Sequence, residues 1–279
     1  MKSLPNSDLL KELDHDREIP TVSQTSILIS DSGAIRSITL NRPERRNAMT
    51  PEMQAELTAA LEAAASECRV LVLRGAGNAF CAGLDLTVLQ SLATQPPSAH
   101  RDDAERVATL FRTLYELPIP TIAAVHGAAI AGGTGLATLC DFTLAVPAAT
   151  FGYTEAHIGF VPAVVSAHLM LQLGDKRARD LLLTGRIFSA AEAYRLGLVN
   201  EIVEPENLSA RVDALAETLI ANSPTSLAAT KRLLAAQNKP WLDAALAAAM
   251  DANAESRKTA DFREGVAAFL EKRKPKWTE

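Results

Sequence analysis

Residues Ala131 to Gly135 read AGGTG and follow the apolar run TIAAVHGAAI, which has the composition of a buried strand. Glycines at that point end a strand rather than extend it. A helix that starts straight after such a bend exposes unpaired backbone N–H groups and the positive end of its dipole, and no Cβ stands between those groups and a ligand. A turn of this kind suits a phosphate or an oxygen on which negative charge develops. Neither GxGxxG nor GxxxxGK[ST] occurs here, which weakens the phosphate alternative. A second turn of the same character, FCAGLDL from Phe80 to Leu86, follows the previous core strand. Two such turns are able to offer two N–H groups to one oxygen. Glu155 stands twenty residues past Gly135, inside FGYTEAHIGF. Its apolar neighbours raise a carboxyl pKa toward the range where it exchanges protons near neutral pH.

Other polar residues carry bland readings beside the chemical ones. His157 reads as a packing or surface histidine, and His126, at a strand end, as structural. Tyr153 and Thr134 are either cleft hydroxyls or ordinary polar groups of the core. Cys81 and Cys140 lie in apolar settings and read as small buried hydrophobes. No His/Asp/Glu cluster has metal-ligand spacing, and there is no G-x-S-x-G elbow.

The elements that must hold these residues follow from periodicity. TSILIS and AIRSITL alternate around Asp31-Ser32-Gly33 and predict a β-hairpin. Thr50 and Pro51 mark a helix start, with Met53, Leu57, Leu61 and Ala64 on one face. RVLVLRG and TIAAVHG read as buried strands; after a polar linker, a helix between them carries Val107, Leu110, Phe111 and Leu114 on one side. The spacing predicts a further helix over 132–139, then strands at DFTLAV and TFGYTE. Beyond about residue 163 nearly everything is helical. Strands alternating with helices predict an α/β chain with a parallel or mixed sheet. Residues 1–24 read as a loosely held arm, 25–205 as the core with the site, and 206–279 as a C-terminal helical region whose Ala-rich face is a surface for self-association.

The chain has 279 residues, 48 % hydrophobic and 22 % charged, with a net charge of -5. That balance suits a large globular core and leaves no basic footprint for nucleic acid or an anionic membrane. Cys68, Cys81 and Cys140 are far apart and odd in number, which points to reduced thiols in a cytoplasmic setting. No apolar run reaches membrane-spanning length.

Six segments in order, LNRPERRNAM, FCAGLDL, HGAAIAGGTGLATLCDFTLA, FGYTEAHIGFVP, LLTGRIFSAAEAYRLGLVNEIV and EGVAAFLEKRKPKW, resemble the successive motifs of the crotonase (enoyl-CoA hydratase/isomerase) superfamily, from about Ser26 to Trp277. The resemblance implies a spiral of ββα units with a C-terminal helical region that builds a trimer or a dimer of trimers. It implies an acyl-CoA thioester as substrate, with coenzyme A part of that substrate and no separate cofactor. The backbone amides of Leu84 and Gly132 would stabilise a thioester enolate, and Glu155 would be the acid/base. Coenzyme A would lie across Ala82, Gly83, Leu84, Asp85 and Leu86. Arg45, with Arg46 beside it, would reach its phosphates unless the pair is simply solvated, and Phe269 and Lys272 its adenine end. The chain departs from the two-glutamate hydratase pattern by having glycine at 135. That departure, with IGFVPAVVSAHL, resembles branched-chain hydratases of the methylglutaconyl-CoA type, so water addition to a 2-enoyl-CoA is expected. A single-glutamate Δ3-Δ2 isomerase is the alternative and a silent acyl-CoA binder a third reading.

Overall fold

The computed structural model describes residues 25–278; the arm expected over 1–24 lies outside the described residues. The hairpin forms as the alternation predicts: β1 (Ile27–Ser32) pairs antiparallel with β2 (Ile35–Leu40). Helix α1 (Pro51–Glu67) starts at Thr50, whose side chain accepts the Met53 N–H, with Pro51 in the first turn where it has no hydrogen bond to lose. Met53, Leu57, Leu61 and Ala64 are buried.

From there the chain winds as a spiral in which each turn contributes one strand to a large sheet and one to a small sheet. The first turn runs β3 (Val70–Gly75), β4 (Ala79–Cys81), then α2 (Leu86–Leu92) and α3 (Pro97–Glu116). The second runs β5 (Thr121–Val125), β6 (Ala128–Ile130), α4 (Gly132–Leu139). The third runs β7 (Phe142–Ala145), β8 (Thr150–Gly152), a 3-10 turn (Glu155–Ile158) and α5 (Ala163–Leu173). Then come α6 (Asp175–Thr184), β9 (Ile187–Ser189), α7 (Ala190–Leu196) and β10 (Glu201–Ile202). The large sheet has the order β1-β2-β3-β5-β7-β10 and is parallel from β2 onward; the small one has the order β4-β6-β8-β9. In the small sheet β4, β6 and β8 are mutually parallel neighbours. Three consecutive spiral turns therefore end side by side at one sheet edge.

The C-terminal part is helical: α8 (Leu208–Ile220), α9 (Pro224–Ser256) and α10 (Ala260–Leu270). α9 packs on α3 and α5, and α10 packs on α2 and on the 3-10 turn that begins at Glu155. The latter contact is backbone on backbone: a Cβ on Gly159 would stand 2.4 Å from the Asp261 carbonyl oxygen and one on Gly265 2.3 Å from the Ile158 carbonyl carbon. Within AALAAAM over 244–250, Leu246 and Ala249 are buried by the chain itself, while Ala244, Ala247 and Ala248 are exposed. The large apolar side chains that α9 leaves exposed are Leu233, Leu234 and Trp241. Among the described residues no helix is long and apolar enough to cross a membrane.

Candidate active site

Leu84, Gly132 and Glu155 occupy equivalent places, two or three residues beyond the C-terminal ends of β4, β6 and β8. Strand neighbours in a sheet lie about 5 Å apart, so residues distant in sequence meet at this edge. The two glycine turns touch: a Cβ on Gly83 would be 2.9 Å from Ala131 Cβ and 3.3 Å from Gly132 N. Gly83 is at φ 86°, a conformation that costs glycine nothing. Ala131 is held at φ 53°, ψ -124°, where an alanine is strained by about 1–3 kcal/mol. Its N–H donates to Gly152 O at 2.6 Å, and Thr134 Oγ1 lies 2.6 Å from Ala129 O while accepting the Gly152 N–H at 3.1 Å. These bonds tie β6, β8 and α4 together and fix the turn. Neither the Leu84 N–H nor the Gly132 N–H has a protein acceptor among the described residues. Both residues line a cleft of about 210 Å³.

Glu155 lines the same cleft. It is 7 % exposed, and its Oε2 is buried without a hydrogen-bond partner. Burial pushes its carboxyl up to about 7, against a smaller opposing effect of a backbone hydrogen bond. A carboxyl so placed is divided between its two protonation states near neutral pH, the condition for moving a proton in either direction. The cleft is otherwise mostly apolar, Phe111, Ile130, Phe160 and Val164 among its lining.

Gly135 is closed to a second acid. A Cβ there would lie 2.8 Å from Phe111 Cε2 and 2.9 Å from Val165 Cγ1, so the ring and the valine fill the space a longer side chain would need. Phe111, which periodicity marks only as core, is thus also a cleft wall. Sequence reasoning missed Asn253 as well, which reaches the cleft from α9; nothing in its helical surroundings distinguishes it.

Several other candidates take structural places. Asp85 caps α2 by accepting the Thr87 N–H at 3.0 Å, and Arg42 lies 3.1 Å from its other oxygen. Its carboxylate stays ionised below the usual range because the hydrogen bonds from Thr87 and Arg42 outweigh the desolvation opposing them. Arg42 also donates to Ala48 O, and buried Asn47 donates to Ala79 O at 2.9 Å, so loop 41–49 is sewn to the first glycine turn. Ala82 and Leu86 line the cleft; Gly83 shapes the turn behind them. Arg46, at φ 51°, lines the cleft, whereas Arg45 sits on the exposed side of the 3-10 turn before it. Phe269 lines the cleft although 60 % exposed, while Lys272 is exposed beyond the end of α10. Tyr153 and Thr134 are core groups: Thr134 is fully buried in the ties described above, and the Tyr153 hydroxyl lies 3.4 Å from Thr138 Oγ1, its pKa raised by burial. His157 lies 3.2 Å from Thr184 O and His126 2.9 Å from Gly77 O. Burial drives the Cys81 and Cys140 thiols up to about 12, which leaves both unreactive.

Two touching glycine turns and a buried carboxyl thus line one cleft on a two-sheet spiral backed by helices. The family model described as Enoyl-CoA hydratase/isomerase matches residues 30–279. The chain belongs to the enoyl-CoA hydratase/isomerase family and has its α/β crotonase-like fold. A Thermus thermophilus relative, provisionally named an enoyl-CoA hydratase, is 43 % identical over 249 residues, covering 88 % of this chain and 98 % of its own. The 1,2-epoxyphenylacetyl-CoA isomerase of Escherichia coli is 34 % identical over 248 residues, covering 88 % and 95 %. A crystal structure of an enoyl-CoA hydratase from Mycobacterium avium subsp. paratuberculosis K-10 superposes with a TM-score of 0.81 at 29 % identity, covering 91 % of this chain and 99 % of that one.

Proposed function

We propose that the protein adds water to, and removes it from, the double bond of a 2-enoyl-CoA, with Glu155 as its single acid/base and the amides of Leu84 and Gly132 as an oxyanion hole. The observation that carries this is the partnerless Glu155 Oε2 in the same cleft as two backbone N–H groups without protein acceptors. The carboxylate takes one proton from a water whose oxygen bonds to C3. The electron pair of the double bond moves through C2 onto the thioester oxygen, where the two amides meet it. Glu155 then returns the proton to C2, the enolate electrons form the new C–H bond, and the carboxylate is regenerated. Fixed donors favour the charge-bearing state over the ground state, each contributing about 3 kcal/mol.

A second reading is a Δ3-Δ2 enoyl-CoA isomerase, favoured by the apolar wall that Phe111 and Val165 make beside Gly135. One carboxylate suffices there, because the proton it removes from one carbon is the proton it returns to another. The acyl chain proposed is branched or methylglutaconyl-like, its branched hydrocarbon part supported by the apolar lining from Phe160 to Val165. Coenzyme A is part of the substrate in either case, spread from Ala82–Leu86 and Arg46 toward Phe269, and the chemistry requires no separate cofactor. The exposed Leu233, Leu234 and Trp241 support a homotrimer or a dimer of trimers, since a monomer would leave these apolar side chains in water. Reduced thiols and the absence of a membrane-crossing helix among the described residues support a cytoplasmic protein.

The test is a panel of straight, branched and carboxylated 2-enoyl- and 3-enoyl-CoA thioesters in deuterated water. Hydration predicts loss of the conjugated thioester and deuterium at C2. Conversion of the 3-enoyl to the 2-enoyl thioester without hydration would select the isomerase, and no exchange with any thioester would overturn both.

A further inference from the structure

One part of the apolar cleft is polar. Asn253 lines it and is 3 % exposed. Its Oδ1 accepts from Arg257 Nε at 3.1 Å, which fixes the amide, and its Nδ2 has no acceptor among the described residues. Arg257 is fully buried behind this wall, with its guanidinium 5.3 Å from the centre of the Phe160 ring, itself part of the cleft lining. Arg257 Nη2 donates to Asp103 at 2.6 Å, but that carboxylate also takes Arg106 at 3.0 Å, and Arg257 Nη1 is buried with no partner. The charge of Arg257 is therefore only partly offset. A partly offset buried cation with an unpartnered N–H is costly unless a ligand completes it, and the Asn253 amide beside it has a donor to offer.

The place of this cluster follows from α3. Asp103, Val107 and Phe111 lie one turn apart along one face; Val107 and Phe111 line the cleft, and Phe111 packs against the glycine turn at Gly132. Asp103, which holds Arg257, is thus two turns, about 12 Å, along α3 from Phe111 at that turn, a distance on the scale of a medium-length acyl chain. We propose that Asn253, oriented by Arg257, is a specificity-determining residue that binds a hydrogen-bond acceptor, a carboxylate above all or a keto oxygen, carried on the acyl chain away from the thioester. Asn253 donates its Nδ2–H to that acceptor, and Arg257 supplies the positive potential behind it. The inference deepens the acyl-CoA reading above and rests on it.

The test compares acyl-CoA thioesters of one chain length ending in a methyl, a keto or a carboxylate group. Saturated thioesters serve as binding probes by calorimetry, and the 2-enoyl thioesters report kcat/KM. The wild type is expected to favour the carboxylated over the methyl-terminated chain by at least tenfold in both. Asn253→Asp keeps an acceptor for Arg257 Nε and hence the local fold, but places a carboxylate where the donor stood. It should lower the carboxylate-to-methyl ratio by tenfold to a hundredfold, mainly through KM. Asn253→Leu, which removes the amide without adding charge, should bring the ratio close to one. Equal loss on both chain types, or a wild type without discrimination while the methyl chain turns over, would overturn the assignment and leave the hydratase reading standing. Discrimination in binding without turnover of any thioester would sustain the assignment and remove the hydratase reading. Binding of neither chain type would overturn both.

Discussion

Glu155→Gln keeps the shape of the side chain and removes its ionisation. Burial holds the folded-state carboxyl at about 7 against an ordinary value of 4.5. Across that interval the folded protein keeps a proton that the unfolded chain has released, so stability falls as pH rises from about 4.5 and the loss is complete above the folded value. Worked from those two values, the wild type should lose about 2–3 kcal/mol of stability relative to the glutamine variant between about pH 5 and pH 8. The glutamine amide finds the same missing partner at both pH values, and every other titrating group is common to both proteins, so these effects cancel in the difference. Urea unfolding of both proteins at the two pH values measures it. In parallel, the variant should lose roughly two to four orders of magnitude in turnover while staying folded. The wild-type kcat/KM should rise with pH through the neutral range as the base ionises. A stability difference that does not change with pH would show that Glu155 titrates as a solvated carboxyl, and near-wild-type turnover in the variant would refute its catalytic role.

Gly135→Glu should gain no hydratase activity, because its Cβ meets Phe111 and Val165 at under 3 Å. It should also unfold at lower urea, by about 1–3 kcal/mol; increased hydration of crotonyl-CoA would contradict this packing. Gly83→Ala must adopt φ 86° and presses on Ala131 Cβ, so both proposed donors shift together; turnover should fall at least a hundredfold with the helix content unchanged by circular dichroism. Gly132→Val leaves Met49 Cε to move aside from its Cβ, while its methyls crowd the cleft; it should abolish turnover and keep coenzyme A affinity within about 1 kcal/mol by calorimetry. Light scattering at micromolar concentration should give a trimer or hexamer, and a clean monomer would exclude the assembly proposed for the exposed α9 residues.

Local rules determined much of this molecule. The alternation around Asp31-Ser32-Gly33 gave a hairpin, Thr50 and Pro51 started α1, and the face of Val107, Leu110, Phe111 and Leu114 gave a buried helix at α3. The expected helix over 132–139 is α4. Each of these elements is long enough, or punctuated sharply enough, for its own residues to decide it. The helix α2 inside the polar linker was not legible, because its start depends on the Asp85 cap and its cover on α10.

The short strands mark the limit. β4, β6 and β8 have three residues each, too few for a period to register; of these only β8 is expected, within TFGYTE, and it stops at Gly152, while all three depend on pairing across distant parts of the chain. That pairing alone brings Leu84, Gly132 and Glu155 to one edge, and it draws the neighbouring turns close enough to hold Ala131 in a strained conformation. The glycines at 83 and 132 and the acid at 155 were visible as residue types, since only certain residues fit a tight turn or carry a proton. How strongly Glu155 holds its proton, whether the space at Gly135 admits a second acid, and which remote helix supplies Asn253 were decided by tertiary packing. Burial, steric exclusion and electrostatic neighbourhood are properties of residues that meet only after the chain has folded.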